Sequence, residues 1–450
     1  MNKTIELGHE VSGNKVKETL GKHILADGFD FVMDYEKSHG SWIVDRLSGK
    51  EYLDMFSMFG SASVGYNHPY LLSKAEWLGK MAVYKPTMSD VYLQEYADFM
   101  EVMSRIAIPK ELQYCFFVEG GALAVENALK TAFDWKTRKN WLKGSKTEGS
   151  VCIHFKQAFH GRSGYTLSLT NTTDPRKYQY FPLFNWPRIT NPKLYFPITE
   201  ENMQETIKNE KIALEEIKNA LVQHGEKTAC IIIETIQAEG GDNHFREEFL
   251  QQLRVICDEN EMLLIFDEVQ TGIGITGKMW AFQHYNVVPD VLSFGKKTQV
   301  CGILANKEKL NEVKNHVFEE SSRINSTFGG NFIDMLRFQL VLEVIEKENL
   351  LAHAQEMGEY LLTGLQNLQA KYPQLISNAR GKGLMCAFDL PNGEIRGQFQ
   401  EKLFENQVII LVCGPQSLRF RPHLNVTKED IDTALNTIEK VIQESYMYNS

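Results

Sequence analysis

The chain has 450 residues, with 48 Lys and Arg against 58 Asp and Glu, so its formal net charge at neutral pH is −10. Its hydrophobic fraction of 43% supplies enough apolar surface to fold, which excludes an intrinsically disordered chain. No apolar run reaches the roughly 18–20 residues of a membrane span, and an acidic chain without a basic block is a poor nucleic-acid binder, so we expect neither partner.

The first part of the chain predicts a β-hairpin, with strands at residues 41–45 and 51–54 joined by a turn at 46–50. Farther along, short apolar strands alternate with helical stretches, which indicates an α/β fold with a parallel sheet covered by helices on both faces. The predicted strands are Tyr114–Val118, Val151–Phe155, Ala229–Ile233, Met262–Phe266 and Val291–Phe294, and the predicted helices include Ala122–Thr137 and Arg246–Asn260. Ligands of such sheets bind at the carboxyl ends of the strands.

Residues 335–450 predict a separate α+β portion. Its last helix has Thr427 as a plausible N-cap, with Asp430 three residues later. Apolar side chains then follow at helical spacing, namely Ile431, Ala434, Leu435, Ile438, Val441 and Ile442. This stripe indicates core packing and carries no functional information.

An acid and a lysine follow two successive strands of the predicted sheet. Asp267 comes directly after strand 262–266, and Lys296 follows strand 291–294 by one glycine. Pyridoxal phosphate needs this pair of groups, because a carboxylate keeps its pyridine nitrogen protonated and a lysine amine forms the Schiff base and moves the proton. The alternative interpretation is a helix cap for Asp267 and a solvated surface for the lysine.

A glycine pair follows the strand Tyr114–Val118 and opens a helix at Gly121 and Ala122. Glycines allow a close approach to the backbone, and a helix N-terminus favours an anion such as a phosphate. The alternative interpretation is a simple glycine turn.

The run Gly272–Gly277 matches the G-x-G-x-x-G pattern of dinucleotide-binding proteins, follows a predicted strand and has Asp290 about 20 residues farther along the chain. It therefore keeps an NAD-dependent dehydrogenase open as an alternative. Its first glycine does not stand at the strand end, however, because residues 267–271 intervene and begin with two acids that would repel a pyrophosphate.

Six segments stand in order along the chain: FFVEGGALAVENALKTAFDWK (116–136), FHGRSGYTLSLTN (159–171), LLIFDEVQTGIGITG (263–277), SFGKKTQVCG (293–302), NSTFGGN (325–331) and RFRP (419–422). Together they resemble the class III aminotransferases of the fold-type-I pyridoxal-phosphate family. Within that class, the Gly-Gly-Ala of 120–122 and the segments 184–188 and 296–302 resemble the L-lysine 6-aminotransferases. The resemblance implies a mostly parallel central sheet covered by helices, with a smaller α+β domain built from both chain ends.

The resemblance also implies a role for each matching residue toward pyridoxal 5'-phosphate. Lys296 is expected to be the Schiff-base lysine, with Lys297 as its neighbour, and Asp267 is expected to pair with the pyridine nitrogen. Gln270 is expected near the phenolic oxygen of the cofactor and near the substrate.

The remaining cofactor contacts come from three places in the chain. Gly121 and Ala122 are expected to donate N–H groups to the phosphate, and Phe159 is expected to cover the ring, although an aromatic residue is more often simply core. Thr327 is expected to reach the phosphate of the partner subunit, which implies a homodimer with a shared active site.

The implied reaction moves the ε-amino group of L-lysine to 2-oxoglutarate in two half-reactions, giving 2-aminoadipate 6-semialdehyde and L-glutamate. By the resemblance, Arg419 binds a carboxylate of the acceptor, Arg162 holds the α-carboxylate of lysine, and Glu239 covers Arg419 while lysine is bound. A guanidinium clamps a carboxylate through two hydrogen bonds, which suits both arginines. A related enzyme that acts on ornithine or 4-aminobutyrate would keep nearly all of these residues and stays an alternative.

The sequence predicts three segments without a linker between them. Residues 1–75 are expected to contribute to the small domain, 76–335 to form the large cofactor-binding domain, and 336–450 to form the C-terminal small domain. The N-terminal residues lack the apolar stretch of a signal peptide, and seven scattered cysteines without a CxxC pair indicate reduced thiols. We therefore expect a cytoplasmic protein. The resemblance implies a role in lysine catabolism, and we expect no metal site.

Overall fold

The computed structural model describes residues 11–84 and 90–446. Its strands are β1 (Trp42–Val44), β2 (Glu51–Asp54), β3 (Tyr114–Val118), β4 (Val151–Phe155), β5 (Arg188–Ile189), β6 (Thr228–Glu234), β7 (Leu263–Asp267), β8 (Val291–Phe294), β9 (Cys301–Ala305), β10 (Ser377–Lys382), β11 (Met385–Asp389), β12 (Val408–Ile409), β13 (Leu411–Cys413) and β14 (Ser417–Arg419).

Its helices are α1 (Val16–Gly21), α2 (Ser57–Gly60), α3 (Pro69–Ser73), α4 (Ala75–Met81), α5 (Gln94–Ile106), α6 (Gly121–Leu142), α7 (Gly164–Leu169), α8 (Glu200–His224), α9 (Glu247–Glu259), α10 (Lys307–Leu310), α11 (Phe332–Lys347), α12 (Leu350–Lys371), α13 (Gly393–Glu405) and α14 (Lys428–Tyr446). Among these, no helix combines the length and the apolar character that crossing a bilayer requires. Residues 1–10, which bear on the prediction about a signal peptide, lie outside the described ranges.

The central sheet has the strand order β3-β9-β8-β7-β6-β4-β5. Its neighbouring strands run parallel except at β9, which is antiparallel to both β3 and β8. The mostly parallel sheet is therefore confirmed. The sequence did not predict β9, which returns antiparallel because the connection from β8, residues 295–300, is too short for the helical crossover that a parallel strand needs.

Two apolar layers cover the two faces of this sheet. Alternate residues of β7 separate into them, since Leu263 and Ile265 pack with helix α6 on one face and Leu264 and Phe266 pack with helix α9 on the other. Successive side chains of a strand point to opposite faces, so a strand buried on both sides is apolar throughout. This explains the continuous apolar runs that the sequence shows.

The strand that carries the acid is displaced by one residue from the prediction. It was expected at Met262–Phe266 with Asp267 beyond it, but the strand begins at Leu263 and Asp267 is its last residue. Asp267 is paired with Glu234 of β6 and with Ser293 of β8 in the sheet register. The prediction failed there because an acid at a strand end looks like a loop residue in the sequence.

The smaller domain draws strands from both ends of the chain. The hairpin of β1 and β2 forms as predicted, and β12 pairs in parallel with β2. A second sheet has the order β10-β11-β14-β13. The predicted cap of α14 also forms, since Asp430 N donates to Thr427 Oγ1 and Thr427 N donates to Asp430 Oδ2, both at 3.1 Å.

The glycine run that suggested a dinucleotide site lies in a buried turn. A Cβ atom on Gly272 would lie 2.6 Å from the ring of Trp280, and one on Gly277 would lie 3.0 Å from Gln355. The run leads into a turn and opens no helix, so it lacks the helix N-terminus that would receive a pyrophosphate. These glycines serve close packing, and the dehydrogenase alternative is wrong.

Candidate active site

A cavity of about 940 Å³ lies at the carboxyl ends of the parallel strands. Residues from the ends of four neighbouring strands reach it: Phe159 after β4, Glu234 at the end of β6, Asp267 at the end of β7 and Lys296 after β8. Arg419 of β14 adds a cation from the smaller domain. The sheet thus gathers residues that are far apart in the sequence into one place, where such folds bind their ligands.

The carboxylate of Asp267 is buried and held through both oxygens. Oδ1 accepts hydrogen bonds from Val269 N and Ser293 Oγ, both at 3.1 Å. Oδ2 lies 2.7 Å from His160 Nδ1. These contacts to both oxygens fix the direction of the carboxylate, as a partner for a ring nitrogen requires.

The two adjacent lysines have different environments. Lys296 lines the cavity, where burial and then the nearby Arg419 lower the pKa of its amine, while Asp267 acts in the opposite direction. Lys297 is fully buried away from the cavity and donates to the carbonyl oxygen of Gly60 at 2.8 Å. A lowered pKa makes the amine of Lys296 a better nucleophile.

Helix α6 directs its N-terminus at the cavity. Gly121 and Ala122, in its first turn, line the cavity, and backbone N–H groups in the first turn of a helix have no partner within the helix. Gly120 caps the helix with a φ of 92°, which favours glycine. A Cβ atom on Gly121 would lie only 2.9 Å from Val269. Two glycines in succession are therefore required to bring the helix to the cavity.

Two further predicted residues line the same cavity. Phe159 is half-buried there, and its backbone N–H donates to Glu234 Oε1 at 2.8 Å. Gln270 Nε2 donates to the carbonyl oxygen of Phe59 at 3.4 Å. The segment Ser57–Gly60 has positive φ at every residue, between 42° and 75°, so a left-handed turn carries Phe59 to the cavity.

Arg419 is the buried cation of the site. It is 7% exposed, and its Nε and Nη1 atoms have no hydrogen-bond partner among the described residues. Burial lowers the pKa of this guanidinium, and the nearby Arg421 acts in the same direction. Arg421 lacks a partner only at Nε among the described residues, because its Nη1 and Nη2 donate to Asp242 at 2.9 and 2.5 Å. Arg419 thus has buried, unpartnered donors of the kind that bind a carboxylate.

The other predicted substrate residues lie around the same cavity. Arg162 lines it and is exposed. Glu239 also lines it, but its carboxylate is bound by Lys177 Nζ at 2.6 Å and by Thr172 Oγ1 at 3.0 Å, and the predicted contact with Arg419 is not made. Thr327 is exposed and is absent from the described residues that line the cavity of its own chain.

Sequence reasoning missed five charged residues among the described lining of the cavity, namely Asp174, Arg176, Lys177, Glu234 and Arg396. Glu234 accepts from Ala238 N at 3.0 Å, and burial, with Asp267 nearby, raises its pKa to about 7. Its place at a strand end, level with Asp267, was a signal that could have found it. Lys177 is the last residue of a short 3-10 helix (Pro175–Lys177) and Arg396 lies on helix α13, and no sequence pattern distinguishes either from a surface residue.

The groups present fit pyridoxal phosphate. Lys296 offers an amine of lowered pKa, Asp267 an oriented carboxylate, and the start of α6 an anion site, all in one cavity of suitable volume. The donor set therefore matches the three demands of the cofactor, which are covalent attachment, a partner for the ring nitrogen and a phosphate cradle.

Comparison with known proteins supports this interpretation. Residues 25–442 match the family model described as aminotransferase class-III. The L-lysine-epsilon aminotransferase of Amycolatopsis lactamdurans is 45% identical over 94% of this chain and 94% of its own length. The enzyme of the same name from Mycobacterium tuberculosis is 45% identical over 97% of each chain. Human mitochondrial 4-aminobutyrate aminotransferase is 32% identical over 97% of this chain and 90% of its own.

A solved structure of a lysine aminotransferase from M. tuberculosis, in the internal aldimine form, has the same fold. It superposes with a TM-score of 0.94 at 45% identity, and the match covers 96% of this chain and all of the other.

Proposed function

This chain belongs to the class III aminotransferases, and we propose that it transfers the ε-amino group of L-lysine to 2-oxoglutarate. The products are 2-aminoadipate 6-semialdehyde and L-glutamate. One observation carries the proposal: Lys296, Arg419 and Glu239 line the same cavity, and two nitrogen atoms of Arg419 have no hydrogen-bond partner among the described residues. Such a cavity suits two substrates, of which one brings a carboxylate to Arg419 and the other does not.

Class III aminotransferases depend on pyridoxal 5'-phosphate, which supplies a ring that accepts electrons from the substrate carbon bearing the amine. Lys296 would hold the cofactor through its ε-amine, and Asp267, kept in place by His160, would hold a proton on the ring nitrogen. Gly121 and Ala122 would bind the phosphate, and Phe159 and Gln270 would line its ring.

Lys296 also moves the proton of the reaction. Its Nζ atom, with a pKa lowered by burial, would take a proton from the substrate carbon that bears the amine and pass it to the bound cofactor, and it would carry a proton in the opposite direction in the second half-reaction. Burial and the charge of Arg419 lower the pKa of this amine, which favours the neutral form that the step requires.

The arginines distinguish the two substrates. Arg162, exposed where the cavity opens, would clamp the α-carboxylate of lysine, so that the ε-amine lies toward Lys296. In the second half-reaction Arg419 would bind a carboxylate of 2-oxoglutarate. With lysine bound, Glu239 would turn to Arg419, because a buried cation facing an apolar chain is costly without a partner.

A second donor class is kept open by one comparison, since human 4-aminobutyrate aminotransferase is 32% identical. A panel of amino donors separates the candidates: L-lysine, L-ornithine and 4-aminobutyrate, each offered with 2-oxoglutarate, with formation of glutamate as the readout. We expect the largest kcat/KM with L-lysine. A protein that ignores lysine and accepts one of the others would refute the substrate assignment.

The proposal extends to a homodimer with composite active sites. It is supported by the exposed position of Thr327, away from the cavity of its own chain, from which it would reach the phosphate of the partner. Mixing Lys296→Ala chains with Thr327→Ala chains places both defects in one site of the mixed dimer and none in the other. Recovered activity supports the shared site, and no recovery with verified subunit exchange refutes it, provided that each variant alone is inactive.

We also propose a cytoplasmic enzyme of lysine catabolism, in which residues 76–335 form the large domain and residues 1–75 and 336–450 the small one. The location is supported by seven cysteines that are all free of disulfides and mostly buried. Fractionation of the source cells tests it, and recovery of the enzyme with the membrane or secreted fraction would contradict it.

A further inference from the structure

The carboxylate of Glu239 has a partner that its expected role does not include. Lys177 Nζ donates to Glu239 Oε1 at 2.6 Å, and Thr172 Oγ1 donates to the same oxygen at 3.0 Å. The side chains of Lys177 and Glu239 are 29% and 25% exposed, so the pair is half-buried at the wall of the cavity. The segment that carries Lys177 thus holds the acid.

Arg419 is a second cation that lines the same cavity as this acid. Its Nε and Nη1 atoms are buried without a partner among the described residues, and the negative charge of Glu239 is close enough to act on the pKa of Arg419, which it raises. Two cations on one cavity wall therefore compete for one carboxylate, and only Lys177 has it here.

The backbone around Glu239 is fixed. If the carboxylate of Glu239 moves from Lys177 to Arg419, its side chain therefore has to rotate. Gly414 N donates to the carbonyl oxygen of Glu239 at 2.7 Å. The next residue, Gly240, packs so closely that an added Cβ atom would lie 2.0 Å from the carbonyl oxygen of Gln157. Side-chain rotation between two staggered positions needs no movement of these segments.

We propose that Lys177 is a positioning residue that holds Glu239 away from Arg419 and thereby keeps Arg419 open for the carboxylate of the acceptor. This inference rests on the proposed function. Lys177 offers the acid a half-buried partner of moderate strength, which favours the open state without preventing the turn toward Arg419 when an apolar chain occupies the cavity. The charge of Lys177 therefore sets how strongly the enzyme favours dicarboxylate acceptors over the lysine donor.

The experiment measures binding of glutarate, a dicarboxylate without the reactive oxo group, to the purified enzyme with its cofactor by titration calorimetry. Lys177→Met should weaken glutarate binding about two- to fivefold, the range that a partly exposed ion pair supports. Lys177→Arg, which keeps the cation, should restore it. The lysine half-reaction, followed by cofactor absorbance in single-turnover mixing, should not slow.

Arg176→Met is the matched control, because it removes one positive charge from the neighbouring position. Arg176 also lines the cavity, but it pairs with Asp174 at 2.9 Å, is 83% exposed and forms no hydrogen bond or ion pair with Glu239. It should leave glutarate binding closer to the wild-type value than Lys177→Met does.

A double variant decides whether the effect runs through Glu239. In a Glu239→Gln background, Lys177→Met should have no further effect on glutarate binding, because the competing acid has lost its charge. An equal loss in both backgrounds, or an equal loss with Arg176→Met, would overturn the proposal. Glutarate binding requires no amino donor, so a wild type that ignores lysine would refute the proposed function and leave this test of Lys177 intact.

Discussion

Oδ2 of Asp267 lies 2.7 Å from Nδ1 of His160, and both side chains are buried. The other carboxylate oxygen accepts from Val269 N and Ser293 Oγ. His160 Nε2 has no partner among the described residues, so the ring is held on one side by Asp267 alone. The histidine, which follows the predicted ring-covering Phe159, therefore orients the acid that the cofactor nitrogen would meet.

His160→Ala should lower kcat by about 10- to 100-fold, because a hydrogen bond to a charged group is worth about 1.5–3 kcal/mol. His160→Asn, whose side-chain N–H can take the place of Nδ1, should recover much of this loss. Steady-state kinetics provide the measurement, and the pH dependence of the absorbance of the bound cofactor gives an independent readout. Equal losses in the two variants would show that the ring matters for packing and not as a donor.

Lys296→Ala should abolish turnover and covalent attachment of the cofactor, because the amine is both the nucleophile and the proton carrier. Lys297→Met should keep the attachment, since Lys297 donates to Gly60 and does not line the cavity. Reduction with borohydride followed by peptide mass spectrometry locates the modified lysine. Modification at Lys297 in the wild type would shift the assignment by one residue.

The sequence predicted the site residues that stand at the ends of strands. It did not predict the contacts that residues far apart in the chain make with one another. Lys296 and Asp267 could be found because apolar runs mark the strands and the fold brings their carboxyl ends together. The partner of Glu239 could not be found, because Lys177 ends a single 3-10 turn that has no periodic pattern and lies 62 residues away. Proximity across such a separation is a property of the packed chain.

The two arginines of the RFRP segment illustrate the same limit. Arg419 and Arg421 alternate along the chain, yet one is left open in the cavity and the other forms a fully buried pair with Asp242. Only the resemblance distinguished Arg419 in the sequence, because no local pattern shows which arginine has an acid opposite it.

The buried pair of Arg421 and Asp242 makes a prediction about stability. Both side chains have no exposed surface, so removing one partner leaves an uncompensated charge. Asp242→Ala should reduce the free energy of unfolding by about 3–5 kcal/mol, measured by urea denaturation. The double variant Asp242→Leu/Arg421→Met, which removes both charges, should lose less than Asp242→Ala. A single variant with wild-type stability would contradict the prediction.

Because the pKa of Glu234 is raised, we expect the difference in stability between the wild type and Glu234→Gln to depend on pH. Burial raises its folded-state pKa to about 7, above the ordinary 4.5 of the unfolded chain, so the folded state binds the proton more tightly. Its contribution to stability is therefore present below about pH 4.5 and is lost as the pH rises toward 7. Relative to wild type, Glu234→Gln should gain stability across this window by up to about 1.4 kcal/mol per pH unit.

Urea denaturation of the wild type and Glu234→Gln at several pH values between 4.5 and 8 provides the measurement. The difference between the two free energies of unfolding is the relevant quantity, because it cancels the titration of all other groups. Curves that stay parallel over the whole range would show that the pKa of Glu234 is not raised.

Glu239→Gln tests the assignment of the two half-reactions. The variant keeps the shape of the side chain and removes the charge that would neutralise Arg419 while lysine is bound. The half-reaction with L-lysine should slow about 10- to 100-fold, since a charge-assisted contact is worth about 1.5–3 kcal/mol. The half-reaction with L-glutamate, which needs Arg419 open, should be spared or improved.

Each half-reaction is followed separately by cofactor absorbance in single-turnover mixing, with Arg176→Met as a control for loss of a charge near the cavity. Equal slowing of both half-reactions would mean that Glu239 supports the site as a whole and does not select between its substrates.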